Sequence, residues 1–450
     1  MTLSGEQKAA GAASGAPDLE SAEGGLFGFA WLNQDLGWLF VLRALRSISQ
    51  GYLGIILPLY LAILGYNAVA LGTLLAVSAI AAAITSTLTG VLADRFGRKT
   101  FIVLISLMFT VGGVGFAFAR SFFWIVAFAA IGSIGRGGAL AGGAWAPFYP
   151  AVQALVAEQS SHENRTTIFG VFSFVGVMAG ALGSLLAALP SVLKHTPGLP
   201  EVQSYGLLFI LSGVLGAAMA VAVIPVRERH VPSAVGPSDL KQPGTAHSGT
   251  LRLGLSRKSW RLVIRFMITN STNGLAIGML GPMVVYWFYR RFGASSVELA
   301  EVFFIINFLS AIPYLAAGRI ALTWGSVRSV VVTRSVSTVL LFAVVIMPSF
   351  AWAAALYGVR ALFNVLSIPV RQSYLMGVID PAERSSASGF ANFPSQVTSA
   401  IGPYMAGYFM EHLALALPLE FAAVMQGLNT FLYWAFFRNV YPPEEGGGKG

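Results

Sequence analysis

Three arginines stand deep inside long apolar stretches of a 450-residue chain. Arg46 lies in the run 36–63, Arg136 in 121–149 and Arg360 in 351–377, each a few residues from the middle of its run. A guanidinium stays protonated in proteins and presents five N–H donors in a planar fork suited to carboxylate or phosphate. Polar neighbours follow at helical spacing: Gln50 comes four residues after Arg46, and Asn364 four after Arg360. Asn270 and Asn273 are three apart in another run, and Asn392 and Gln396 four apart in a further one, so each pair shares a helix face. No Asp, Glu or His falls near the middle of any apolar run; Asp35, Glu158, Glu298 and Glu301 sit at run ends. Permanent cations without carboxylates leave positive charge in a low dielectric, and a bound anion is one natural partner. Arg46, Gln50, Arg136, Asn273, Arg360 and Asn364 are therefore the candidate substrate contacts. Two alternatives stay open. Arg136 could hydrogen-bond the carbonyls of a kinked neighbour, and the amides could serve as interhelical hydrogen bonds. Arg43, Arg265, Arg334 and Arg371 lie nearer run ends and are expected to snorkel to the headgroups.

Other chemistries lack their residues. There is no Cys, which removes thiolate catalysis, disulfides and cysteine-held metals. The five His residues lie in polar connections without metal-ligand spacing, and no phosphate-cradling G-x-x-x-x-G-K-[ST] occurs. No catalytic set, metal or cofactor is expected, and the chain reads as a non-enzyme. Its formal charge of +9 is scattered over apolar runs and forms no patch to track nucleic acid.

The elements that must position these arginines follow from composition. Hydrophobic residues make up 56% of the chain and charged ones 10%, whereas a water-soluble domain carries about 25% charged. Spanning a bilayer takes about 20 apolar residues as a helix. Twelve such runs are present: 36–63, 68–92, 100–119, 121–149, 166–189, 204–224, 262–289, 298–318, 328–348, 351–377, 386–410 and 418–438. The fold class is an all-α polytopic membrane protein. Residues 1–35 read as a disordered tail and not a cleaved signal. The segment 225–261, with Pro225, Pro232, Pro237 and Pro243, reads as a linker between bundles at 36–224 and 262–438, and 439–450 as a second tail. With both termini in the cytoplasm, inner loops and tails hold seventeen basic residues and outer loops four, Arg120, Lys194, Arg290 and Arg291. That bias predicts a multi-pass protein of the cytoplasmic (inner or plasma) membrane with both ends inside.

The halves repeat. Shifted by 224 positions, Gly54 falls on Gly278, Pro58 on Pro282 and Arg136 on Arg360. The pattern P-x2-Q-x11-R-x4-G occurs at Pro150, Gln153, Arg165 and Gly170, and again at Pro369, Gln372, Arg384 and Gly389. Duplicated halves are a transporter trait. Between the second and third runs stands Gly90-Val91-Leu92-Ala93-Asp94-Arg95-Phe96-Gly97-Arg98-Lys99. This resembles the loop signature of the major facilitator superfamily, G-x-L-a-D-r-x-G-r-[RK], and with the repeat the resemblance covers about residues 36–438. It implies a twelve-helix secondary transporter with two pseudo-symmetric six-helix bundles and alternating access. It also implies a cytoplasmic gate built from Gly90, Asp94, Arg95, Gly97, Arg98 and Lys99, closing on the start of the eleventh run near Ser385–Ser388. Arginines in the first and fourth spans are similar to those of the superfamily's organic-anion porters. The family's Gln-Gly after the fourth-span arginine is replaced by Ala139 and Leu140, and its fifth-span Gly-Pro by Gly183-Ser184. These departures weigh against a drug/proton antiporter. The expectation is a monomeric transporter of a small organic anion, with protons or a counter-anion as candidate coupling partners. Multidrug/proton efflux is the alternative, and a lipid flippase or membrane-embedded binding protein the reading from a different class.

Overall fold

The computed structural model describes residues 33–135, 147, 149–159, 165–193, 200–228, 256–379 and 384–440. Side chains at 87, 90–92, 94–96, 149–150, 154, 157, 165–167, 201, 314–323, 376, 384–386 and 388 lie outside that description. Every regular element in it is helical. The first half contains α1 (Gln34–Ile63), α2 (Ala68–Phe96), α3 (Arg98–Phe118), α4 (Phe122–Gly132), α5 (Tyr149–Glu158), α6 (Arg165–Leu185), α7 (Leu189–Leu193) and α8 (Glu201–Ala222). The second contains α9 (Arg257–Leu280), α10 (Met283–Phe292), α11 (Ser296–Trp324), α12 (Ser326–Ile346), α13 (Phe350–Val378), α14 (Arg384–His412) and α15 (Leu417–Phe437). Among the described residues, seven stretches, from Ala68–Ser86 to Phe350–Leu375, can cross a membrane by length and composition. Large apolar side chains such as Phe123, Val339, Ile346 and Trp352 point outward. So broad an apolar surface suits lipid and not water.

The duplication is visible in the turns. Gly97, at φ 94°, is the one residue between α2 and α3, and Gly325, at φ 79°, the one between α11 and α12. A side chain there would strain the left-handed backbone, so glycine is what permits two long helices to reverse over a single residue.

Two expected spans are interrupted. The run 121–149 is not one helix: α4 stops at Gly132, Ser133 turns left-handed at φ 50°, and Gly135 follows at φ 88°. The next described helix, α5, covers Tyr149–Glu158, and residues 136–146 and 148 lie outside the described residues. The glycines at 132 and 135, where the described helix ends, are apolar enough for lipid but poor at holding a helix. The run 262–289 breaks at Gly281-Pro282. Gly281 leaves the helical region at φ 2°, ψ −126°, and Pro282 has no N–H to continue the ladder.

Within the first half α1 packs on α6 and α8, and α3 on α4 and α8; within the second α9 packs on α14 and α15, and α12 on α13 and α15. Between halves α2 meets α14 and α6 meets α11. At the end away from the linker these seams are tight. The Ala68 N–H donates to Glu411 Oε2 at 3.2 Å, and Ser191 and Ser296 hydroxyls lie 2.7 Å apart. Gly72 sits against the Pro403 carbonyl and Gly407 against that of Ala68.

Candidate functional site

One face of α13 carries most of the polar chemistry. Tyr357, Arg360, Asn364, Ser367, Arg371 and Tyr374 recur every three or four residues, so the helical repeat aligns them along one stripe. Arg360 is buried, with its guanidinium 5.4 Å from the centre of the Tyr357 ring. Its carbonyl accepts from Ser337 Oγ of α12 at 3.2 Å. The Nε atoms of Arg360 and Arg371 are buried without a hydrogen-bond partner among the described residues. Arg371 Nη2 donates to Asn270 Oδ1 of α9. Asn270 Nδ2 in turn donates to the Ala391 carbonyl of α14 at 2.8 Å and reaches Asn392 Oδ1 at 3.4 Å. Asn392 is exposed, so a polar track runs from α13 to the surface of α14.

Behind this stripe stands Arg334 of α12, only 3% exposed. Its Nε donates to Ser367 Oγ at 3.2 Å and its Nη1 to Asn429 Oδ1 at 2.7 Å. Asn429 Nδ2 donates onward to the Thr269 carbonyl and to Thr272 Oγ1, the latter at 3.2 Å. Four helices, α9, α12, α13 and α15, are thus tied by one arginine and one asparagine. Arg360 and Arg371 lie within electrostatic range of Arg334, and among the described residues none of the three pairs with a carboxylate. Glu298 and Glu301 are exposed at the start of α11. Uncompensated buried charge is costly, and the arrangement is chemically suited to an anion.

The expected contacts are distributed over both halves. Arg46 is 3% exposed in α1, with its guanidinium 4.1 Å from the centre of the Phe109 ring of α3, a cation–π geometry. It borders a small space lined also by Thr85, Ser106, Ser133 and Met219. Gln50 is buried one turn further along α1. Asn273 is buried in α9, with its Oδ1 unpartnered among the described residues. The half-buried Asn364 has a side chain that makes no hydrogen bond among them. Arg136 falls outside the described residues. Of the arginines expected to snorkel, Arg265 is exposed, but Arg43 and Arg334 are each only 3% exposed. Arg43 lies 5.4 Å from the Phe172 ring of α6, over the surface left open by Gly176. Arg334 was legible in principle: Ser326, Ser329, Thr333 and Ser337 form a stripe on α12, all buried, and an arginine beside a polar stripe has somewhere to go inside.

In the gate motif, Gly90 lies inside α2, and the Asp94 and Arg95 side chains lie outside the described residues. Arg98 and Lys99 have partners in the first half and at the start of the linker. Arg98 pairs with Glu158 at the end of α5, and Lys99 Nζ donates to the carbonyls of Ile224 and Val226. Glu228, at the start of the linker, receives the N–H of Arg98 at 2.7 Å and that of Lys99 at 3.4 Å. It caps an α3 N-terminus whose own cap residue, Gly97, has no side chain to do so. No sequence signal pointed to Glu228, because its partners lie 130 positions away. Glu228→Gln is expected to lower stability by about 0.5–2 kcal/mol, read as a lower melting temperature in detergent. An unchanged melt would remove the cap.

The model of the Major Facilitator Superfamily matches residues 39–403. An uncharacterized membrane protein of Saccharomyces cerevisiae, YJR124C, is 21% identical over 84% of this chain and 88% of its own. The multidrug resistance protein MdtG of Proteus mirabilis is 24% identical over 82% of this chain and 85% of its own. Among solved structures, a bacterial homolog of the human lysosomal transporter Spinster, inward-facing and unoccupied, superposes with a TM-score of 0.68 at 14% identity, covering 90% of this chain and 96% of that one.

Proposed function

The chain belongs to the Major Facilitator Superfamily, and from that premise we propose that it carries a small organic anion across the membrane by alternating access of its two halves. One observation carries the choice of an anion. The α13 face presents the buried Nε donors of Arg360 and Arg371, with the uncommitted Asn364 between them and no carboxylate paired to either arginine among the described residues. An anion would satisfy those donors and neutralise the charge; a cation would add to the repulsion. Asn273 offers a further unpaired atom from α9, and Arg46 and Gln50 are candidate contacts from the first half. The linker side and both termini are assigned to the cytoplasm by the bias of basic residues. The seams tight at the opposite end then correspond to a conformer closed to the outside.

Proteoliposome uptake of matched anionic and cationic solutes, under imposed pH gradients, tests this reading. Concentrative uptake of carboxylates or phosphates in preference to cations is expected, and preference for cationic dyes would overturn it. The second reading, multidrug efflux, is favoured by the likeness to a multidrug resistance protein over most of both chains. In either case transport is expected to run without ATP, since the chain has no phosphate-cradling loop. Uptake by purified protein that appears only when ATP is added would remove both readings.

A further inference from the structure

The outward seam between α12 and α15 holds two apolar grooves, one toward each side of the membrane. The groove toward the linker side is floored by Ser335, Thr338 and Gly427 and walled by Val339, Phe431 and Trp434. Its walls stand well out of the protein: Val339 is 67% exposed and Phe431 59%. The floor is low because Gly427 has no side chain and the facing residues are small. A narrow trough with apolar walls, open to hydrocarbon, fits an extended acyl chain.

The mouth of this groove is cationic. Arg438 follows Trp434 by one turn and stacks on it, its guanidinium 4.6 Å from the ring centre. Arg328 precedes the groove residue Val331 by one turn of α12 and is exposed. Arg265 of α9 reaches the same end of α15, donating to the Phe436 carbonyl at 3.2 Å. None of the three forms an ion pair among the described residues. The groove at the opposite end of the seam, between Phe342, Ile346, Leu417 and Phe421, has the carboxylate of Glu420 in its lining instead. One seam therefore presents positive charge at one membrane face and negative charge at the other. Tryptophan at the headgroup level and arginine just outside it are the side chains that hold a phospholipid at an interface.

We propose that the linker-side groove of α12 and α15 is a binding site for an anionic phospholipid, with one acyl chain in the trough and the phosphate between Arg328 and Arg438. Arg265 adds to the field at the headgroup. A zwitterionic lipid brings its own ammonium into the same cluster and is disfavoured. The site faces lipid, apart from the α13 stripe, and does not depend on what the protein transports.

The test uses the full chain in detergent, titrated with phosphatidylglycerol or phosphatidylcholine of the same acyl chains, with bound lipid counted by native mass spectrometry. Phosphatidylglycerol is expected to bind at least tenfold more tightly. Arg328→Gln with Arg438→Gln is expected to weaken that binding roughly 30-fold, whereas the double lysine variant retains most of it and Glu420→Gln leaves it unchanged. Gly427→Leu, which fills the trough and keeps the arginines, is expected to weaken it as well. Melting of each lipid-free variant within a degree or two of the parent separates lost binding from lost fold; the lysine pair and Gly427→Leu decide if the glutamine pair fails that check. Equal affinity for the two lipids would overturn the proposal. So would competition by glycerol phosphate at the concentration of lipid, which would mean a headgroup site without a seated chain.

Discussion

On the proposed anion reading, glutamine in place of Arg360 is expected to weaken anion binding by roughly 10- to 100-fold while leaving the protein folded. Hydrogen bonds to a charged group contribute about 1.5–3 kcal/mol, and each 1.4 kcal/mol is about a factor of ten. Glutamine keeps one donor but not the charge or the planar fork. The ligand-free variant carries the second half of the expectation. Arg360 is buried beside Tyr357 without a carboxylate partner among the described residues, so removing its charge relieves a desolvation cost. Its melting temperature should equal or exceed that of the parent, whereas a structural arginine would lower it on removal. Arg371→Gln should lose affinity comparably and also lose the bond to Asn270. Arg265→Gln, at an exposed position more than two turns into α9, should change affinity by no more than about twofold. Full anion affinity in both Arg360→Gln and Arg371→Gln, together with transport of cationic dyes, would hand the site to the multidrug reading.

Hydropathy located most helices to within a few residues. The run 328–348 appears as Ser326–Ile346 and 418–438 as Leu417–Phe437. It failed where apolarity and helicity part company. The backbone at Ser133 and at Gly281-Pro282 leaves the helix, yet alanine-, glycine- and proline-bearing runs look continuous to a measure of transfer into lipid. The polar stripe of α13 is legible in the sequence, but its surroundings are not. Arg360 and Asn364 stand mid-run with helical spacing, and the structure places them on one face of α13. Arg43 and Arg334 stand close enough to a run's edge to predict reach to the headgroups, yet each is buried. That inference ignores what covers a side chain. Phe172 and Gly176 cover Arg43 from α6, and Ser367 and Asn429 receive Arg334 from α13 and α15. Such partners are remote in sequence, like those of Glu228, and only the packed bundle brings them near.

Closure at the end away from the linker depends on two glycines, and valine at either is expected to abolish most transport. A Cβ on Gly72 would stand 2.3 Å from the Pro403 carbonyl oxygen, and one on Gly407 2.2 Å from that of Ala68. Both obstacles are backbone, so no side chain can swing aside. Both contacts run between α2 and α14, on opposite halves, so the packing within each half is untouched and the fold should persist. Overpacking costs typically about 1–3 kcal/mol, and 3 kcal/mol displaces a two-state equilibrium more than a hundredfold. The variants should therefore populate the conformer open at this end. Because the chain has no native Cys, a single cysteine at Met410, 8% exposed and three residues after Gly407 in α14, can report the change. Labelling by a membrane-impermeant maleimide added from that side should be slow in the parent and at least tenfold faster in Gly407→Val. Transport should fall at least tenfold in the same variant. If valine at both positions left labelling and transport at parental levels, the α2–α14 seam would be static packing, and alternating access would have to open elsewhere.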